Sequence, residues 1–174
     1  MSQVNLGKII DLLKEFAWMR GSNLQIILVG GLAVQYYYGM EERATIDFDA
    51  EIKGDVEGVF DFLKSNHIPA DIGENISGWS VVAMPPGYRE RTIEIYKDEF
   101  LSVKVLYPLD FIIAKLRRFT EEDIEDALFV ARKYNLAARE IEGLADEAIM
   151  NSPKDTALFS FRKNVNIFIA MLKK

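Results

Sequence analysis

Residues 26–51 read IILVGGLAVQYYYGMEERATIDFDAE. Ile26, Ile27 and Val29 are β-branched members of an apolar run, which suits a strand, and Gly30-Gly31 ends it. A helix-permissive segment follows to about Gly39, and a second strand is expected over about 45–52. A period of two on that strand puts Ile46, Phe48 and Ala50 on one face and Asp47, Asp49 and Glu51 on the other. Three acids on one face repel one another unless a cation neutralises them. Hard oxygen donors of this kind suit Mg²⁺ that also carries substrate phosphates. Glycines at the start of a helix let backbone N–H groups come close to an anion, at the end where the helix dipole is positive. A phosphate binder and a metal binder are therefore expected on adjacent elements.

The rest of the chain limits what this stretch can serve. At 174 residues it is long enough for one domain, or for a small catalytic core with a helical extension. Cysteine is absent and His67 is the one histidine, which excludes disulfides, thiolate metal sites and histidine-rich zinc sites. The longest apolar runs are too short to span a bilayer, and no basic region precedes a hydrophobic segment at the N-terminus. A cytoplasmic protein without membrane contact is the expectation. The net charge of −6 argues against a broad nucleic-acid-coating surface.

Outward from the central stretch, 4–20 carries Ile9, Leu13, Phe16 and Ala17 at helical spacing, ended by Gly21-Ser22-Asn23. Asp55 can cap a helix over about 56–66. The runs 79–84, 92–96 and 101–106 are β-prone and separated by turn residues, which predicts a meander of antiparallel strands. From Pro108 the pattern is helical, with Thr120 and Asp123 spaced as a capping box, and further helices are expected over 137–150 and 154–172. These readings predict an α+β fold: a small mixed sheet flanked by helices over 1–107, then a helical C-terminal subdomain over 108–174.

Gly30-Gly31 after a strand, a spacer helix, and Asp47-Phe48-Asp49 on the next strand resemble the nucleotidyltransferase superfamily with the DNA polymerase β-like minimal fold. The abortive-infection toxin-type nucleotidyltransferases look closest, through Gly30-Gly31-Leu32-Ala33 and then Arg43-Ala44-Thr45 ahead of the acidic strand. Later blocks, Leu109 to Leu116 around Lys115 and Asp123-Ile124-Glu125-Asp126, are similar to lysine and aspartate motifs of that branch. The resemblance covers roughly 24–130 and leaves the first and last helices unexplained.

The resemblance implies that Gly30 and Gly31 cradle the triphosphate of a nucleotide while Asp47 and Asp49 hold Mg²⁺. It implies transfer of a nucleoside monophosphate from a nucleoside triphosphate to a hydroxyl acceptor on a small molecule, a protein or a tRNA end. The family has a third carboxylate on a neighbouring strand. Glu94 in Thr92-Ile93-Glu94-Ile95-Tyr96 is the candidate for it, with Glu51 in reserve, or the third ligand is missing. Arg43, Thr45 and Lys115 are nucleotide-binding candidates, against plainer roles for Arg43 and Thr45 at the strand start and for Lys115 as a solvated residue. Asp123 and Asp126 belong to the later motif, although helix capping by itself accounts for Asp123. Gly30-Gly31 alone reads as an ordinary turn, and no third glycine makes it a dinucleotide fingerprint. The alternative function is a non-catalytic nucleotide-binding or protein-interaction module of a two-component, toxin-antitoxin-like pair, with a partner protein. The oligomeric state is left open.

Overall fold

The computed structural model describes residues 4–39 and 45–174, so Arg43 lies outside the described residues. Two compact units divide the chain, 1–75 with 92–106, and 76–91 with 107–174.

The first unit opens with α1 (Leu6–Arg20). Asn5 caps it by accepting from the N–H of Gly7 at 2.8 Å, and Gly21 ends it in a left-handed conformation. β1 (Leu24–Leu28), α2 (Gly30–Tyr38), β2 (Phe48–Lys53), α3 (Val56–Ser65), β3 (Ala70–Gly73), β4 (Ile93–Lys97) and β5 (Leu101–Val105) follow. The sheet order is β3-β2-β1-β5-β4, with β1 central. β1 pairs antiparallel to β2 and parallel to β5, β3 is parallel to β2, and β4 is antiparallel to β5. The architecture is α+β with a mixed sheet and flanking helices, as the sequence predicts.

Alternation along the strands decides which face is buried. Leu24, Ile26 and Leu28 share a face with Phe48, Ala50, Ile52, Leu101, Val103 and Val105. These residues form one core with Ile9, Leu13 and Phe16 of α1, Leu32 of α2, and Val59 and Leu63 of α3. Burying each large apolar side chain contributes about 1.5–3 kcal/mol, so this face fixes the register of every strand that carries it. Gln35 is buried between α1 and α2. Its amide donates to the Val4 carbonyl and its oxygen accepts from the Leu6 N–H, both at 2.9 Å. Of the three consecutive tyrosines, Tyr37 is fully buried and donates to the Leu106 carbonyl, while Tyr36 and Tyr38 are half-buried.

Three local expectations need correction. Regular strand begins at Phe48, not near Thr45, because 46 and 47 form a bend; Ile46, expected on the apolar face, is 51% exposed. Thr45 instead makes an isolated bridge to Val4. The run 79–84 is not a strand. After a 3-10 turn at Ile76–Trp79 its backbone bonds to serine hydroxyls, Ala83 N–H to Ser152 at 2.7 Å and Met84 N–H to Ser77 at 2.9 Å, in place of a ladder. β3 was not expected, since Ala70-Asp71-Ile72-Gly73 is short and half polar; only pairing with β2 makes it a strand.

The second unit holds α4 (Pro108–Arg118), α5 (Glu121–Lys133), α6 (Ala138–Met150) and α7 (Ala157–Leu172), close to the expected helices. Thr120 and Asp123 form the predicted capping box. Arg117 ties the 3-10 turn to α4 through the Ile76 and Ser77 carbonyls, and burial lowers its pKa to about 10. Among the described residues no helix is long and apolar enough to cross a membrane.

Candidate functional site

A single residue, Val29, joins β1 to α2, and its N–H continues the ladder to the Asp49 carbonyl at 2.9 Å. Gly30 then turns the chain with φ +58, a conformation open to glycine at little cost. A Cβ on Gly30 would stand 2.1 Å from Asp49 Oδ2, and one on Gly31 would stand 2.3 Å from Thr45 Oγ1. Both glycines are therefore required by close approach, and the residues they approach are the ones the sequence singles out. The Asp49 carboxylate sits against the N-terminal end of α2, where the helix dipole favours negative charge. Asp47 lies in the bend two residues earlier, half-buried, and its carboxylate accepts from the Thr45 hydroxyl at 2.8 Å. Thr45 thus spaces α2 and orients Asp47. Gly30, Gly31, Thr45, Asp47 and Asp49 are brought together as one constellation.

The chain belongs to the DUF6036 family. That family is described as a nucleotidyltransferase of unknown function, and its sequence profile matches residues 6–165. No curated protein and no solved structure matches the chain. Membership confirms the nucleotidyltransferase superfamily, and the match reaches beyond 24–130 to take in α1 and most of α7, the parts the resemblance left unexplained.

The remaining carboxylates separate by register. Glu51 is buried and shares a sheet face with Asp49. Asp71 pairs with Asp49 across β2 and β3, one strand spacing of about 4.8 Å away on the same face. The sequence reading missed Asp71 because nothing in ADIG marks a strand; its nearness to Asp49 is created by the β2-α3-β3 crossover. Glu94 also shares the Asp49 face, but β1 and β5 intervene between β4 and β2, which separates the two strands by about 14 Å. Its carboxylate accepts from the Ser102 hydroxyl at 3.0 Å. The structure does not bring Glu94 to Asp47 and Asp49.

Magnesium can be judged against this donor set. As the side chains stand, no three acidic or histidine residues among the described ones converge as a metal cage. Mg²⁺ does not need one, since it keeps several waters and takes one or two carboxylates plus substrate phosphates. Asp47 and Asp49, beside a glycine-opened helix start, fit that pattern.

Lys115, Asp123 and Asp126 form a cluster in the helical unit. The Lys115 ammonium lies 3.1 Å from Asp123 and 2.9 Å from Asp126, and all three side chains are close to buried. A second ion pair stands nearby in sequence: the partly exposed Arg91 grips the buried Asp110 with two parallel bonds at 2.9 and 2.7 Å. Burial pushes the Asp110 carboxyl up from the usual aspartate range, and the guanidinium opposes that rise.

Proposed function

We propose that the chain is a Mg²⁺-dependent nucleotidyltransferase that moves a nucleoside monophosphate from a nucleoside triphosphate to a hydroxyl. The observation that carries this reading is the seating of Gly30 and Gly31 against Asp49 and Thr45, which puts a helix N-terminus and two aspartates at one place. The acceptor oxygen forms a bond to the α-phosphorus, the bond from that phosphorus to the bridging oxygen breaks, and pyrophosphate leaves. Mg²⁺ bound by Asp47 and Asp49 would supply charge neutralisation on the phosphates. The backbone at Gly30 and Gly31 cradles phosphate oxygens, Thr45 keeps Asp47 oriented, and Arg43 and Lys115 are further phosphate-binding candidates from the resemblance. Asp71, one strand from Asp49, is the candidate to take the acceptor proton, because strand order holds Glu94 three strands away from Asp49. The acceptor is a small molecule, a protein or a tRNA end. Resemblance to abortive-infection enzymes supports a toxin-type role with a partner protein, and a sequence without cysteine fits a cytoplasmic setting.

The test is incubation with each labelled ribonucleoside triphosphate, Mg²⁺ and candidate acceptors. Transfer by wild type and its loss in Asp47→Ala and Asp49→Ala is the expected result. The place of Glu94 on the far edge strand favours a second reading, a nucleotide-binding module without transfer. Thermal stabilisation by Mg²⁺ and triphosphate, with no transfer to any acceptor, would select that reading.

A further inference from the structure

Lysine is a poor choice for the middle of a strand, yet Lys104 sits inside β5 with its side chain half covered. Its strand neighbours Val103 and Val105 belong to the buried core, so Lys104 is on the opposite face. Register identifies that face. Lys104 pairs with Ile27 on β1, Ile27 pairs with Glu51 on β2, and Glu94 on β4 pairs with Lys104 from the other side. One row across the sheet therefore reads Glu94, Lys104, Ile27, Glu51, and Asp49 lies one pleat along from Glu51 on the same face.

Glu94 is the natural ion partner for a lysine directly opposite, but its carboxylate turns to the Ser102 hydroxyl at 3.0 Å, with the Lys97 ammonium at 3.9 Å. Among the described residues the Lys104 side chain makes no ion pair and no hydrogen bond. A half-covered ammonium without a counter-charge, on a face that carries Asp49, Glu51 and Asp71, is placed to receive an anion that those acids would otherwise repel. Two strand spacings and one pleat put its Cα about 12 Å from that of Asp49. The flexible stem of lysine covers about half of that span, and a polyphosphate fills the remainder.

We infer that Lys104 holds the β- and γ-phosphates of the nucleotide. This rests on the nucleotidyltransferase reading and extends it to the leaving group. When the bond between the α-phosphorus and the bridging oxygen breaks, its electron pair stays on the pyrophosphate oxygen, and the ammonium stabilises the charge that collects there.

The experiment is calorimetric binding of Mg²⁺ with inorganic pyrophosphate, and with each ribonucleoside triphosphate and monophosphate, to wild type, Lys104→Met and Lys104→Arg. Thermal midpoints serve as the folding control. Lys104→Met should weaken pyrophosphate and triphosphate binding by tenfold or more, leave monophosphate binding unchanged, and be largely rescued by Lys104→Arg. Triphosphate binding by Lys104→Met as tight as wild type overturns the inference while the nucleotidyltransferase reading stands, and so does an equal loss for monophosphate and triphosphate. If wild type binds neither triphosphate nor pyrophosphate, the nucleotidyltransferase reading itself fails and this inference goes with it.

Discussion

The two units handle buried and half-buried acids in opposite ways. In the helical unit each fully buried carboxylate is met by a cation: Asp110 by Arg91, and Asp123 and Asp126 by Lys115. In the sheet unit Asp47 is met by a hydroxyl and Asp49 by the glycine-opened start of α2, while neighbouring positions on the same face carry more acids. Charges that hold structure are neutralised inside the protein, because an uncompensated buried charge is costly. The acids of the sheet unit gather on one face that also carries Lys104, and carboxylates spaced this closely suit a place where a metal and a nucleotide arrive together.

The comparison breaks first at Lys115. Lys115→Met removes the cation that the two buried carboxylates share, leaving Arg118 at 3.5 Å from Asp123, and a loss of about 3–5 kcal/mol is expected in chemical denaturation. A loss below about 1 kcal/mol would mean the cluster is not structural.

Gly30→Ala comes next. It combines a left-handed backbone with a Cβ 2.1 Å from the Asp49 carboxylate, so a cost of about 2–4 kcal/mol is expected, together with weakened nucleotide binding. Full stability in that variant would show that α2 does not need to approach β2 this closely.

Asp47→Asn sharpens the contrast from the other side. Removing one charge from an acidic face should leave stability within about 0.5 kcal/mol of wild type, or raise it, while stabilisation by Mg²⁺ and triphosphate disappears. Marked destabilisation would place Asp47 with the structural acids of the helical unit.

The smallest effect concerns the exposed hairpin between β4 and β5. Tyr96 donates to Asp98, which raises the phenol pKa to about 12 and lowers that of the carboxyl. The raised phenol stabilises fully below its ordinary value near 10 and loses that contribution as pH rises through about 12. The lowered carboxyl stabilises above the ordinary aspartate value and loses its contribution as pH falls through the folded one. Ultraviolet titration of Asp98→Asn should return the Tyr96 midpoint towards 10; an unchanged midpoint would remove the hydrogen bond as its cause.

Much of the fold was legible because its signals are local. Asp55 and Thr120 cap helices where their side chains reach the first turn, and Pro108 starts one. The Gly30-Gly31 turn and the Asp47-Phe48-Asp49 pattern need only a few neighbouring residues to be read. The run 79–84 misled because β-prone residues serve irregular packing equally well when serine hydroxyls take the backbone N–H groups. Period two misplaced Ile46 because alternation holds only once the strand is regular, from Phe48 onward.

The sequence by itself determined the family, the glycine turn and the pair of aspartates, since these depend on the order of adjacent residues and on backbone preferences within a few positions. Only the tertiary structure decided which other charges join them. Asp71 stands beside Asp49, Glu94 stands three strands off, and Lys104 shares a row with Glu51, because strand order and register are set by burying one apolar face against α1, α2 and α3. No local pattern contains that information: it is the whole core that aligns residues distant in sequence on the opposite face.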